Sequence, residues 1–293
     1  MLLHRRLRLW TACFRPLQSA PMRLLLLALM LACGFAAPAA ADRYALTYEG
    51  LGMRFVPLGQ ITLDADVADD SYRVDATLRS GGLLNLFEPT NIRARAAGRI
   101  EQGVVRWSSY HLDHRYSQKR RVIEMQAERG GAIDAEITPN YRLWGDPAAT
   151  DDQRRRSRDP LSTVVAMAID VGQSRRCSGA YPTFDGRFHY LMELAGGETG
   201  RFRDGGYNGP ILKCTLAYIA IAGYERTDRG RRRIPRGEIW FALADNSRFA
   251  PPVRIATPLS AGGATIRLSS WRRAEVSIDT DADNEAIGVP AQE

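Results

Sequence analysis

The stretch ITLDADVADDSYRVDATL, residues 61–78, decides the fold class. Ile61, Leu63, Ala65 and Val67 alternate with Thr62, Asp64 and Asp66; Tyr72, Val74, Ala76 and Leu78 alternate with Arg73, Asp75 and Thr77. Successive side chains of a strand point to opposite faces, so a period of two writes one buried face and one wet face. Asp69-Asp70-Ser71 separates the runs with residues that favour turns. The segment reads as an antiparallel hairpin.

The same period recurs outward from this hairpin. Ile133, Ala135 and Ile137 form one stripe; Phe188, Tyr190, Met192 and Leu194 form another. Ile239, Phe241 and Leu243 follow, then Val253, Ile255, Ile266 and Leu268. Gly130-Gly131, Asp185-Gly186 and Gly262-Gly263 fall between runs, where glycine permits the positive φ of tight turns.

A single segment reads as helix. Asp159 is a capping residue, Pro160 suits the first helical position, and Leu161 to Asp170 contain no breaker. Its β-branched residues lower helix propensity, so packing must supply much of its stability. Residues 144–158, polar and basic, read as a solvated loop. The expected architecture is mainly β: about ten antiparallel strands in one strongly curved sheet or incomplete barrel, with the helix against one opening or face. A two-sheet sandwich is the alternative.

Residues 22–41, MRLLLLALMLACGFAAPAAA, have the form of a secretory signal peptide: one cation, an apolar run, then small residues. Cleavage is expected after Ala41, and the apolar run is shorter than the ~20 residues of a spanning helix. Cys33 follows that run as a lipoprotein site would, but Met30-Leu31-Ala32 fits such processing poorly and the site at Ala39–Ala41 is better. Residues 1–21 read as an upstream extension, with Met22 the expected start. The expected organisation is therefore a removed segment at 1–41, one β-rich domain at 42–278 and an acidic, disordered tail at 279–293. The address is periplasmic, with no transmembrane segment in the processed chain.

Removing residues 1–41 discards five arginines and no acid, leaving 35 cations against 33 anions. The formal charge falls from +7 to +2, which removes most of the support for a nucleic-acid partner. Two of the four cysteines also leave. Cys177 and Cys214 remain, and in an exported chain they read as a disulfide.

The segments SGGLLNLFEP (80–89), IRARAAGRI (92–100), DPLST (159–163), the lone cysteine before YPTFDGRFHY (181–190), and GGYNGPILKCTLAYIAIAGY (205–224) occur in an order that resembles an exported bacterial family, domain of unknown function 3108. The resemblance runs from Tyr44 to about Leu268. It implies a mainly β protein of the Gram-negative envelope and carries over no catalytic or binding residue. The lipoprotein-carrier half-barrels of the periplasm look similar in architecture, an analogy of fold alone.

Chemistry-bearing residues are sparse. His111 and His114 bracket Leu112-Asp113, but strand geometry puts His111 and Asp113 on one face and His114 on the other, too few ligands for zinc. His189 alternates with Phe188 and Tyr190 and so faces away from the apolar stripe; Asp185 is near, but no G-x-S-x-G elbow exists. Neither a metal, a cofactor nor an enzyme activity is expected. Three basic runs stand out: Lys119–Arg121, Arg154–Arg156 and Arg231–Arg233. They read as solvated charge or, more sharply, as contacts for anionic lipid headgroups. Leu83, Leu84, Leu86 and Phe87 break the strand alternation between Gly81-Gly82 and Pro89. They read as an inward-folded plug or as an apolar lip for a hydrophobic ligand or membrane.

The functional expectation is a non-catalytic periplasmic β protein that binds a lipid or other apolar envelope component in its concavity, or supports envelope maintenance. The alternatives are an interaction protein with a closed core and no ligand, and a hydrolase assembled from dispersed residues.

Overall fold

The computed structural model describes residues 41–276 except 54, 83, 84, 86–88, 129, 246 and 259–261. Thirteen strands form one antiparallel sheet: β1 (Ala41–Gly52), β2 (Val56–Val67), β3 (Ser71–Ser80), β4 (Thr90–Glu101), β5 (Val104–Tyr116), β6 (Lys119–Ala127) and β7 (Ile133–Thr138), then β8 (Gly179–Phe184), β9 (His189–Asp204), β10 (Tyr207–Ala222), β11 (Gly237–Ala242), β12 (Pro252–Thr257) and β13 (Ala264–Val276). The order is β7-β6-β5-β4-β3-β2-β1-β13-β12-β11-β10-β9-β8, two meanders joined where β1 pairs with β13. The sequence expectation of about ten strands is corrected to thirteen, and the sandwich alternative gives way to a single sheet. The count rose because arginines, histidines and the β4–β5 bulge blur a strict alternation in β4, β5 and β6, and Gly179 and Pro182 interrupt it in β8.

The sheet curls because its ladders are repeatedly offset. Bulges interrupt β1–β13, β1–β2, β4–β5, β9–β10 and β11–β12, and each bends its strand. Gly98 sits at the β4–β5 bulge, where a Cβ would stand 2.3 Å from the Arg106 carbonyl oxygen. No larger residue fits that approach. The curl brings Phe184 of β8 into one buried cluster with Ala96, Tyr110, Met125 and Ile137 of β4 to β7.

The barrel does not close, since β7 and β8 are the two unpaired edges. Residues 157–158 fill the gap. Arg158 N donates to Pro182 O, Phe184 N donates to Arg158 O at 2.9 Å, and Trp107 Nε1 donates to Ser157 O at 2.9 Å. Two outward backbone groups of the β8 edge, at Pro182 and Phe184, are thereby satisfied.

The reading of 144–158 as a solvated loop is corrected. Thr150 and Gln153 form a reciprocal cap on helix α1 (Asp151–Arg155), and Ser157 is buried. Helix α2 (Pro160–Ser174) extends four residues beyond the expected Asp170, to an αL cap at Arg175. The Asp159 carboxylate accepts from Ser162 N at 2.9 Å. Rather than resting against an opening, α2 runs inside the concavity and buries residues on every side, among them Val165, Met167, Ile169 and Val171. That enclosure outweighs the weak propensity of its β-branched residues. A disulfide joins Cys177, just after α2, to Cys214 on β10.

Antiparallel order gives the sheet two unlike ends. The closed end carries the β2–β3, β4–β5, β6–β7, β9–β10 and β11–β12 turns; α2 descends to it, with Gly172 against the Arg248 backbone and Gln173 beside Gly103. The open end carries the β1–β2, β3–β4, β5–β6, β8–β9, β10–β11 and β12–β13 connections, including the short helix α3 (Arg229–Arg232). The expected signal segment up to Ala40 and the tail at 279–293 lie outside the described residues. Ala41, the residue before the expected cut, opens β1 opposite Val276.

Candidate functional site

Helix α2 begins halfway along the sheet, and the concavity beyond Pro160 is not filled. A cavity of about 820 Å³ opens there, lined at its wall by Leu78, Ile92, Leu112 and Ile123. These are the inward residues of β3 to β6, brought round by the curl. Pro160 and Tyr110 form its floor, and Phe188 and Tyr141 its far side. The volume falls within the ~300–1,000 Å³ of small-molecule sites.

The mouth is basic. Arg121 begins in one basic run and Arg231 in another, more than a hundred positions later, yet both line this cavity with Arg187. Aromatic faces hold them: Arg121 lies 4.1 Å over the Tyr141 ring, Arg187 4.9 Å and Arg231 5.3 Å over the Phe188 ring. Arg187 also approaches Glu225 and Asp228 at 3.7 and 3.6 Å, while its buried Nε has no hydrogen-bond partner. Arg154 of the third run lies beside Arg187 in a smaller cleft with Trp144 and Phe184.

Asp185 turns the chain at this mouth, accepting Arg187 N at 3.0 Å and Phe188 N at 2.7 Å. Burial raises its pKa, opposed by those bonds and by Arg231 and Arg187. Behind it, stacked pairs Phe188–Tyr224 and Tyr190–Tyr218 build an aromatic bank, with the Tyr218 and Tyr224 hydroxyls in contact. Burial pushes Tyr218 up to about 12, so these phenols stay neutral. An aliphatic wall with three guanidinium groups at its mouth, outnumbering the lining carboxylates Asp185 and Asp228, suits an amphipathic anion: chain against the wall, anion at the arginines.

The remaining sequence candidates fall elsewhere. His111 faces outward, its Nδ1 3.2 Å from Glu124, and Asp113 on the same face is clasped by Arg120 at 2.8 Å. Those Arg120 bonds, then Arg115, hold the Asp113 carboxyl below its usual value. His114 points the other way and lines the cavity beside Tyr116. His189 is buried rather than free, and neither ring nitrogen has a partner; burial lowers its pKa. A hydrolase would need one of these imidazoles bonded to a nucleophile, and the structure shows no such bond at His111 or His189. Among the described residues no three His, Cys, Asp or Glu side chains gather as for a metal. Leu83, Leu84, Leu86 and Phe87 lie outside the described residues; the strand ends they link, at Ser80 and Thr90, stand beside the cavity lining of Leu78 and Thr90.

A second cleft, of about 310 Å³ at the closed end, is bounded by Asp42, Asp69, Arg248 and Arg273. Its charges already pair with one another, Arg273 with Asp42 at 2.8 Å and Arg248 with Asp69 at 3.3 Å. The arginine mouth was missed in the sequence because each run alone is indistinguishable from solvated charge. Only the curl shows that two of them share one opening.

A family described as "Protein of unknown function (DUF3108)" matches residues 43–269. Among solved structures, a β-barrel-like protein of domain of unknown function DUF1849 from Brucella abortus is similar, with 8% identity and a TM-score of 0.48 over 80% of this chain and 98% of that one. No curated protein matches. These comparisons indicate no catalytic family.

Proposed function

The chain belongs to the DUF3108 family, and from the geometry of its open end we propose that it is a non-catalytic binding protein of the bacterial periplasm that holds a lipid or other amphipathic envelope component. One observation carries the reading: a cavity of about 820 Å³ with an aliphatic wall and three arginines at its mouth. The disulfide adds support for an oxidising compartment outside the cytoplasm. No helix among the described residues is long and apolar enough to cross a membrane. The ligand would occupy the open half of the concavity, because α2 already fills the other half.

Displacement of a fluorescent fatty acid tests it. Cis-parinaric acid should bind the purified protein saturably, and Leu112→Trp, which pushes an indole from the wall into the path of the chain, should weaken binding by at least about tenfold. Arg121→Ala with Arg231→Ala should weaken the acid more than its neutral methyl ester. Native mass spectrometry of the untreated protein should show a co-purified lipid. No saturable probe binding and no retained lipid would favour the interaction protein without a ligand and sink the proposal.

A further inference from the structure

The two ends of the sheet differ in surface as well as in filling. Of eight large apolar side chains left exposed among the described residues, five stand on open-end connections: Met53 and Phe55 in the β1–β2 turn, Leu143 and Trp144 after β7, and Ile234 after α3. Phe55 is 78% exposed. The closed end has Val104 alone, and the other two lie on the outer face of β10 near its open-end terminus. The apolar surface these turns leave exposed, largest at Phe55 and Leu143, is not covered by the described residues, so its placement at one end asks for an apolar neighbour outside the chain.

Charge follows the same polarity. The β10–β11 connection, residues 223–236, holds six arginines and two acids. None of the six forms an ion pair with a described residue, and β6 begins at the same end with Lys119-Arg120-Arg121. The closed-end connections, by contrast, carry four arginines and four acids. Ile234 lies directly after Arg231-Arg232-Arg233, so apolar and basic groups share one loop.

We infer that the open end is a membrane-docking face for a bilayer surface rich in anionic phospholipid. The arginines lie at headgroup level while Phe55, Met53 and Ile234 enter the boundary with the acyl chains. Charge complementarity selects this occupant: unpaired guanidinium groups draw toward an anionic plane, and apolar tips gain only where that plane has an apolar interior. Docking in this pose presents the cavity mouth to the leaflet. The inference goes beyond ligand binding and stands without it, since docking needs the turns and not the cavity.

Vesicle co-sedimentation of the protein as the cell processes it tests the face. The protein should sediment with phosphatidylglycerol–phosphatidylethanolamine vesicles and not with phosphatidylcholine vesicles, and rising salt should weaken binding. Arg229→Glu/Arg232→Glu/Arg233→Glu, none of which lines the cavity, should lower affinity by at least about tenfold, and Met53→Ser/Phe55→Ser severalfold at unchanged net charge. Arg175→Glu/Arg176→Glu at the closed end should change nothing. All these positions are exposed, and an unchanged near-ultraviolet circular dichroism spectrum checks the fold of each variant. Failure of the wild type to sediment with anionic vesicles, or an equal loss from the closed-end variant, overturns the docking face. Unimpaired parinaric-acid binding in the same samples would leave the ligand reading standing on its own.

Discussion

At its closed end the curved sheet is packed with α2 and with Phe241, Ile211 and Val253, whose side chains are wholly inaccessible; at its open end the same sheet lines a cavity with Leu78, Ile92, Leu112 and Ile123. The strands run continuously through both halves, so strand pairing alone does not explain the difference. What differs is the filling. One helix of fifteen residues is too short to occupy the whole concavity, and Pro160 marks where it stops. Stability is concentrated in one half, which leaves the other half able to hold something else.

Truncation at matched positions gives the largest contrast. Phe241→Ala should cost about 3–5 kcal/mol in denaturant unfolding, because it opens a void in a filled core. Leu112→Ala should cost less than about 1.5 kcal/mol, because its side chain already borders a cavity and is only half-buried. Equal losses at the two positions would break the contrast. Replacing Cys177 and Cys214 together by serine should cost about 4 kcal/mol for their separation of 37 residues, since the bond braces the filled half.

A pH effect comes next. Burial pushes the Asp159 carboxyl up to about 6, despite its hydrogen bond to Ser162 N. A carboxyl that holds its proton more tightly when folded makes the protein lose stability as pH rises from about 4 to about 6. Each pKa unit is worth about 1.4 kcal/mol. Asp159→Asn keeps a capping acceptor and should flatten that slope, measured as unfolding free energy across the window. The smallest change belongs to the outer wall: Asp113→Asn loses its clasp by Arg120 and Arg115 and should cost less than about 1 kcal/mol, because the arginines are largely solvated.

Legibility in the sequence followed the wetness of one face. The hairpin at 61–78 was plain, as were the turns at Gly130-Gly131 and Gly262-Gly263, which the structure places between β6 and β7 and between β12 and β13; Asp185-Gly186, whose register the flanking Phe184 and Phe188 left open, turns between β8 and β9. Strand β5 was obscured by a bulge that shifts its inward set from Val105 and Trp107 to Tyr110, Leu112 and His114. The helix cap was legible because capping is local chemistry between Asp159 and Ser162. The site was not legible, because its parts come from β3 to β6, the β8–β9 turn and α3.

The amino-acid pattern by itself determined an antiparallel β protein with a capped helix, since period and capping act between neighbours a few residues apart. Tertiary structure alone decided that the helix lies inside the curl, that it stops halfway, and that Arg121 and Arg231 meet at one mouth. Those outcomes depend on accumulated bulges and on the β1–β13 pairing, which joins segments more than two hundred residues apart in the chain.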